Sequence, residues 1–293
     1  MKISLGFSPC PNDTFIFDAL IHNKIDTQGL EFVVAYHDVE TLNSKAFQAD
    51  LDVTKLSYHA FAYAVNNYEL LDAGSALGFG VGPILISKNK ELAERIQGFL
   101  RGETVLSNED RNLKIAIPGK FTTANFLLSL ALPQLTHREP VVFSEIEQVL
   151  LDDEVDLGLI IHENRFTYES KGLYKVVDLG NYWERKTGYP IPLGGIVVKR
   201  SMSDELKNKI NRLVGDSVRY AFSNPKSGLD YIRSHAQEMS EEVMYKHIEL
   251  YVNKYSECLG DEGKEAVQFM FDEAKRLKII PDRRVCLFLT TTN

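Results

Sequence analysis

A histidine stands at the end of an apolar stretch: Leu157-Gly158-Leu159-Ile160-Ile161 runs directly into His162-Glu163-Asn164-Arg165. A run this apolar belongs to a buried strand. The imidazole is therefore expected at the strand's carboxyl end, facing a cleft, where it can exchange protons near neutral pH. A solvated or structural histidine is the competing reading.

Three other loops follow strand-like runs and lead into helices with small polar residues. In a doubly wound sheet such loops gather on one edge and hold ligands. The turn Ser8-Pro9-Cys10-Pro11-Asn12-Asp13-Thr14 is stiffened by two prolines, offers the Ser8 hydroxyl, and has Asn12, Asp13 and Thr14 as candidate N-caps. In Thr54-Lys55-Leu56-Ser57-Tyr58, Ser57 falls at a helix start, able to cap it or to hold a ligand oxygen, and Lys55 adds positive charge. In Ile117-Pro118-Gly119-Lys120-Phe121-Thr122-Thr123-Ala124-Asn125, the glycine permits a sharp turn. The first-turn amides at Thr123 and Ala124 then form an anion site suited to a substrate carboxylate.

Asp38 either caps the helix that starts at Val39 or touches ligand; capping is favoured. Cys10 has no His-Asp partner beside it and reads as a packing residue. His22, His59, His137, His235 and His247 read as surface residues, and Trp183 as either a pocket wall or a packing residue. The Gly-x-x-x-x-Gly-Lys-Ser/Thr spacing is absent, and Gly78-x-Gly80-x-Gly82 does not match the dinucleotide fingerprint, so hinge flexibility is the expected use of those glycines. Metal and cofactor motifs are missing, and the expectation is a site with no metal and no cofactor.

The elements that would position these groups alternate in period. Strands are expected at 2–7, 30–36, 51–56, 83–87, 114–117, 140–143, 157–161, 174–178 and 195–199. Helices are expected at 14–21, 39–48, 58–66, 90–101, 123–132 and 146–152, and only helices from Ser203 to Leu277. This is the pattern of a βαβ array with parallel sheets, an α/β fold with a helical C-terminal tail. Two extended segments, Gly78 to Pro83 and Pro190 to Gly195, read as paired crossings of a hinge. They give one discontinuous lobe of residues 1–86 and 197–293 and an inserted lobe of residues 87–196.

The 293 residues are 44% hydrophobic and 25% charged, with a net charge of -8 and no basic face, so nucleic acid is not an expected partner. The longest apolar runs are too short for a bilayer span, so no membrane role is expected. Three widely spaced cysteines suit a reduced, cytoplasmic setting. Oligomeric state is not readable from the sequence.

Taken together, Ser8 to Phe17, Asp38 to Asn43, Thr54 to Tyr58, Ala76 to Gly78, Gly80 to Pro83 and Ile160 to Tyr168 resemble the 1,4-dihydroxy-6-naphthoate synthase family of the futalosine route to menaquinone. The resemblance implies a two-lobed fold like the type II periplasmic binding proteins, retooled as a cytoplasmic lyase. The implied reaction takes cyclic dehypoxanthinyl futalosine to 1,4-dihydroxy-6-naphthoate in an interlobe cleft and releases a three-carbon remainder. It also implies His162 as proton acceptor and Lys55, Leu56, Ser57, Thr123 and Ala124 as ligand contacts, with the side-chain detail around Phe121 and Asn125 left open. The competing readings are a solute-binding protein of the same fold and the chorismate dehydratase of the same pathway.

Overall fold

The computed structural model describes residues 1–236 and 240–290. They divide into two compact units: unit 1 is Met1–Gly78 with the chain from Pro192 on, and unit 2 is Phe79–Ile191. Eleven strands occur among the described residues: β1 (Lys2–Phe7), β2 (Glu31–Tyr36), β3 (Val53–Ser57), β4 (Tyr68–Leu70), β5 (Ala76–Gly78), β6 (Ile84–Ser87), β7 (Ile115–Ile117), β8 (Arg138–Pro140), β9 (Leu157–Ile160), β10 (Tyr174–Asp178) and β11 (Ile191–Lys199).

Unit 1 holds a six-stranded sheet of order β2-β1-β3-β11-β4, with β5 also paired to β11. β1 runs parallel to β2 and β3, while β11 is antiparallel to β3 and β4. Unit 2 holds the order β10-β6-β9-β7-β8, in which β7 is parallel to β8 and β9, and β6 is antiparallel to β9 and β10. The all-parallel expectation therefore holds for three strands of each sheet and fails for the pairings of β4, β6, β10 and β11. Hydrophobic patterning reports burial, which is complete along β3 and β6, but strand direction leaves no such trace in composition.

Pairing also moves the unit boundaries. β6 bonds to β9 and β10, so residues 79–86 belong to unit 2 rather than to the first lobe. β11 bonds to β3 and β4, which takes residues 192–196 into unit 1. β4 and β5, three residues each, were not expected; so short a run shows no period-two alternation, and only the apolar β7 of the same length was expected in place. The strand expected at 140–143 lies earlier, at β8, because Phe143 opens a 3-10 turn, Phe143–Glu145.

The first helix, Pro11–Ile21, starts three residues earlier than expected. Pro11 takes the first helical position, where its missing N–H costs nothing. Cys10 occupies the N-cap without a side-chain cap bond, so Asn12, Asp13 and Thr14 lie inside the helix and do not cap it. From Pro11 to Leu20 every residue is buried, as expected for a helix covered on all sides. Against it lies the helix Asp204–Ser223, whose Ser217 Oγ donates to Ile16 O (2.6 Å) and accepts from Leu20 N (3.1 Å). Helices Leu229–His235 and Glu241–Tyr251 add Ile232, Met244 and Ile248 to the same core, around Ile3, Leu5, Phe7 and Phe17.

In unit 2 the helix Leu179–Thr187 was not expected. Asp178 caps it, accepting from Gly180 N (3.0 Å) and Asn181 N (3.1 Å), and Gly188 ends it at φ 76°. Trp183 on this helix is buried, donates Nε1–H to Pro190 O (3.3 Å) and lies 6.5 Å from the Phe126 ring, so it is a packing residue.

Gly82 has φ 139°, and a Cβ there would lie 2.7 Å from Gly180 Cα; a Cβ on Gly180 would fall 1.8 Å from Val81 O. Close backbone approach, not flexibility, explains this pair. Gly180→Ala is therefore expected to destabilise the protein by on the order of 3 kcal/mol. Gly102→Ala, with φ 77° and open space around it, should cost only about 1–2 kcal/mol of backbone strain. Urea denaturation of both variants reads the difference, and equal losses would contradict the packing account.

Candidate functional site

In unit 1 the parallel pairing of β1 with β2 and β3 places three loops at one sheet edge: Ser8 follows β1, Asp38 lies just after β2, and Ser57 ends β3. Ser8 is buried, and its Oγ makes no hydrogen bond among the described residues. Leaving a buried hydroxyl unpaired costs about 1–3 kcal/mol, so a ligand atom that pairs with it is favoured there.

Ser57 holds the N-cap position of the helix Tyr58–Ala64, yet its hydroxyl makes no capping bond. Asn43, fully buried on the helix Val39–Phe47, instead holds it by two bonds: Asn43 Oδ1 accepts from Ser57 N (3.1 Å) and Nδ2 donates to Ser57 Oγ (3.4 Å). The serine is thus oriented from below and its oxygen is not used by its own helix. Leu56 is buried and, by strand alternation, lies on the opposite face from Lys55 and Ser57.

Lys55 is spent inside unit 1. Its Nζ lies 2.8 Å from Asp13 Oδ1 and 3.3 Å from Gly74 O, with both side chains of the ion pair under 10% exposed. Asp13 Oδ1 also accepts from Asn12 Nδ2 (2.9 Å), and Asn12 Oδ1 bonds to His247 Nε2 (2.8 Å). Since Asn12 donates through its amide nitrogen, His247 donates from Nε2. His247 is thus a fully buried member of this network and not a surface residue; His59 is likewise buried, beside Tyr63. His22 and His137 are exposed as expected, and His235 is half-buried.

Asp38 caps its helix. Its Oδ1 accepts from Glu40 N (3.0 Å) and Thr41 N (3.1 Å), and its Oδ2 accepts from Thr41 Oγ1. Capping, not ligand contact, is the role these bonds support.

In unit 2 the parallel pairing of β7 with β9 places the turn before Thr123 and the turn at His162 at one edge. Gly119, at φ 152°, makes the first turn. Thr122, and not Thr123, is the N-cap: its Oγ1 accepts from Asn125 N (3.2 Å) and donates to Gly119 O (2.9 Å). Thr123 and Ala124 thus occupy the first two positions of the helix Thr123–Ala131. Asn125 supports the loop by donating Nδ2–H to Lys120 O (2.8 Å) while its Oδ1 accepts from Arg138 (2.9 Å). Burial pushes the Arg138 guanidinium below its usual value.

His162 begins a 3-10 turn, His162–Phe166, directly beyond β9, with φ 57°. A left-handed backbone is uncommon outside glycine and marks strain that surrounding structure must hold. The half-buried imidazole meets the Phe143 ring edge-on at 4.9 Å between centroids. Arg165 anchors the turn to Gly82 O (2.7 Å) and to Asp178 Oδ2 (3.3 Å). Nearby, burial together with the bond to Glu169 pushes the Tyr168 phenol up. His162 and Glu163 present ligand atoms within 4.8 Å of each other, donors of a type that can hold a divalent cation.

The buried Asp13–Lys55 pair has a measurable consequence. Asp13→Ala leaves an uncompensated ammonium in unit 1 and is expected to cost about 3–5 kcal/mol, whereas Asp13→Leu combined with Lys55→Met should recover most of that loss. Chemical denaturation of the single and double variants checks it; a double variant no better than Asp13→Ala would contradict the pairing.

A family described as menaquinone biosynthesis matches residues 3–276. A Thermus thermophilus protein named 1,4-dihydroxy-6-naphtoate synthase is 44% identical over 274 residues, covering 93% of this chain and 94% of that protein. A Streptomyces coelicolor protein of the same name is 36% identical over 285 residues, covering 95% of each. Among solved structures, an Archaeoglobus fulgidus protein is similar with a TM-score of 0.84 and 33% identity over 95% of this chain and 98% of that one. The periplasmic aliphatic sulphonate binding protein of Escherichia coli aligns at a TM-score of 0.64 with only 9% identity, covering 98% of this chain and 90% of its own, a likeness of fold alone. The α/β architecture is that of the periplasmic binding proteins, and by sequence the chain belongs to the menaquinone biosynthesis family.

Proposed function

We propose that the protein is a carbon–carbon lyase that converts cyclic dehypoxanthinyl futalosine to 1,4-dihydroxy-6-naphthoate, the product for which its relatives are named. The observation that carries the assignment of roles is His162, a histidine held at φ 57° just beyond the carboxyl end of a buried strand that runs parallel to β7. Strain of this kind is retained where a side chain must be aimed.

In this reading His162 removes a proton from the ribose-derived part of the substrate. Electrons flow toward a carbonyl, a carbon–carbon bond opens, the three-carbon remainder leaves, and the ring system becomes aromatic. Aromatisation supplies the thermodynamic drive, so the protein has to place a base, hold developing negative charge and exclude water. The amides of Thr123 and Ala124 suit a carboxylate or an oxyanion. The hydroxyls of Ser8 and Ser57 suit neutral substrate oxygens, Ser57 through the orientation that Asn43 gives it.

Lys55 acts by holding Asp13 and the neighbouring turn rather than by meeting ligand with its ammonium. Leu56 contributes through the strand. We place the enzyme in the cytoplasm, a reading supported by three free cysteines, two of them exposed, and by a biosynthetic family. No helix among the described residues is long and apolar enough to cross a membrane.

The test is direct incubation with cyclic dehypoxanthinyl futalosine, following the naphthoate chromophore. A protein that only binds would raise its melting temperature without yielding the chromophore, and chorismate in a parallel reaction tests for a dehydratase. His162→Asn keeps a residue that tolerates a left-handed backbone, so it should fold and bind substrate while turnover drops about a hundred- to ten-thousand-fold. Undiminished turnover removes His162 from the mechanism. Ser57→Ala should raise KM more than it lowers kcat, and a defect confined to kcat would contradict its binding role.

A further inference from the structure

The segment that carries His162 has little backbone structure to hold it. It consists of two 3-10 turns, His162–Phe166 and Tyr168–Lys171, and 3-10 geometry makes poorer hydrogen bonds than an α-helix. Within it the loop backbone bonds Thr167 N to Asn164 O, Ser170 N to Thr167 O and Gly172 N to Glu169 O, all 3.1 Å, are local. Side chains attach it to the rest of unit 2 through Asn164, Arg165 and Lys171.

One of these is an unusual choice. Glu147, on the helix Ile146–Leu151, is 3% exposed, and its Oε2 accepts from both Asn164 Nδ2 (2.5 Å) and Lys171 Nζ (2.6 Å). Asn164 lies two residues beyond His162 and Lys171 ends the second turn, so one carboxylate oxygen grips both turns. The helix beneath is fixed by Ile146 and Leu150, which join the core around Ile86, Ala116 and Ile160 at the end of β9. Immediately before it, Phe143 meets the imidazole edge-on. Residues 143–151 therefore hold His162 twice, by its ring and by the turn that carries it.

A buried carboxylate is a poor way to gain stability. The Lys171 side chain is 45% exposed, so solvent screens its part of the interaction. The bond to the half-buried Asn164 then dominates, and it acts next to a backbone that must be kept left-handed. We infer that Glu147 is a positioning residue for His162, holding the 162–171 segment through Asn164 and Lys171 so that the imidazole stays aimed. This inference rests on the assignment of His162 as the base and adds a residue outside the substrate-contact set.

The experiment combines kinetics with hydrogen exchange on the full chain. Glu147→Ala is expected to lower kcat about tenfold to a hundredfold, the scale of a misplaced catalytic group, with KM within about twofold on the same argument. Amide exchange should accelerate across 162–171. Glu147→Gln, which keeps an acceptor oxygen for Asn164, should restore most of kcat and the slow exchange. In a His162→Asn background the Glu147→Ala change should have no further effect on kcat, because residues that act through one another are not additive.

If Glu147→Ala does not fold, Asn164→Ala removes the same bond from the other side and should lower kcat with KM unchanged. Unchanged kcat and exchange in the variant that folds overturns the inference, as does full multiplication of the two defects in the double variant. Loss of activity in His162→Asn together with wild-type kcat in Glu147→Ala overturns the positioning role alone. Full activity in His162→Asn overturns the base assignment itself.

Discussion

A positive φ is uncommon at a residue with a side chain, and His162 in unit 2 is one of six such non-glycine residues among those described, the one that lies just beyond a central strand. β9 lies between β6 and β7, so the strand cannot shift without breaking two ladders. Gly158 within it leaves no room either, since a Cβ there would come 2.9 Å from Ile146. Beyond the strand, Arg165 and Glu147 fasten the outgoing chain at separate points. The imidazole thus leaves a fixed strand end and enters a fastened turn, which is what a base needs if its distance to a substrate proton is to be reproducible.

Unit 1 solves a different problem. Its edge carries serine hydroxyls, which by local preference bond to nearby backbone unless a neighbour holds them. Ser57 stands where a serine would normally cap its own helix, and Asn43 holds both its N–H and its oxygen away from that arrangement. Asp38, after β2, does cap its own helix, Val39–Phe47. Two residues with the same local propensity thus take opposite roles because one has a buried amide against it and the other does not.

That contrast explains what the sequence made legible. Apolar periodicity located nearly every strand longer than three residues, because burial on a regular element leaves a pattern. The turn at His162 was legible for the same reason: a polar, titratable group directly after an apolar run has few structural explanations. Strand direction, the very short β4 and β5, and the helix Leu179–Thr187 left no comparable trace; that helix buries only Leu179, Gly180 and Trp183. Asn43, Asn125, Glu147 and His247 were missed because a buried polar residue looks, in one dimension, like the surface residues that outnumber it. Asn43 carried a faint signal, since it sits beside Leu42 and Ala46 on the buried face of its helix. His247 carried none, because its partner is Asn12, 235 positions away.

The buried lysine shows most clearly where motif and mechanism separate. Lys55 lies between Leu56 and Thr54 in a strand whose every residue is buried, so an ammonium there has to be neutralised by the fold or left to a ligand. Within unit 1 the fold neutralises it: Asp13 and Gly74 O take the charge, and Asn12 and His247 extend the network to the C-terminal helices. The double-proline turn and the Lys-Leu-Ser segment, which stand more than forty residues apart in sequence, are therefore two halves of one polar core. The short motifs that identify the family are in this unit largely the parts that fix the shape of the edge. At that edge the Ser8 oxygen has no hydrogen-bond partner among the described residues, and the Ser57 oxygen is held by Asn43 rather than by its own helix.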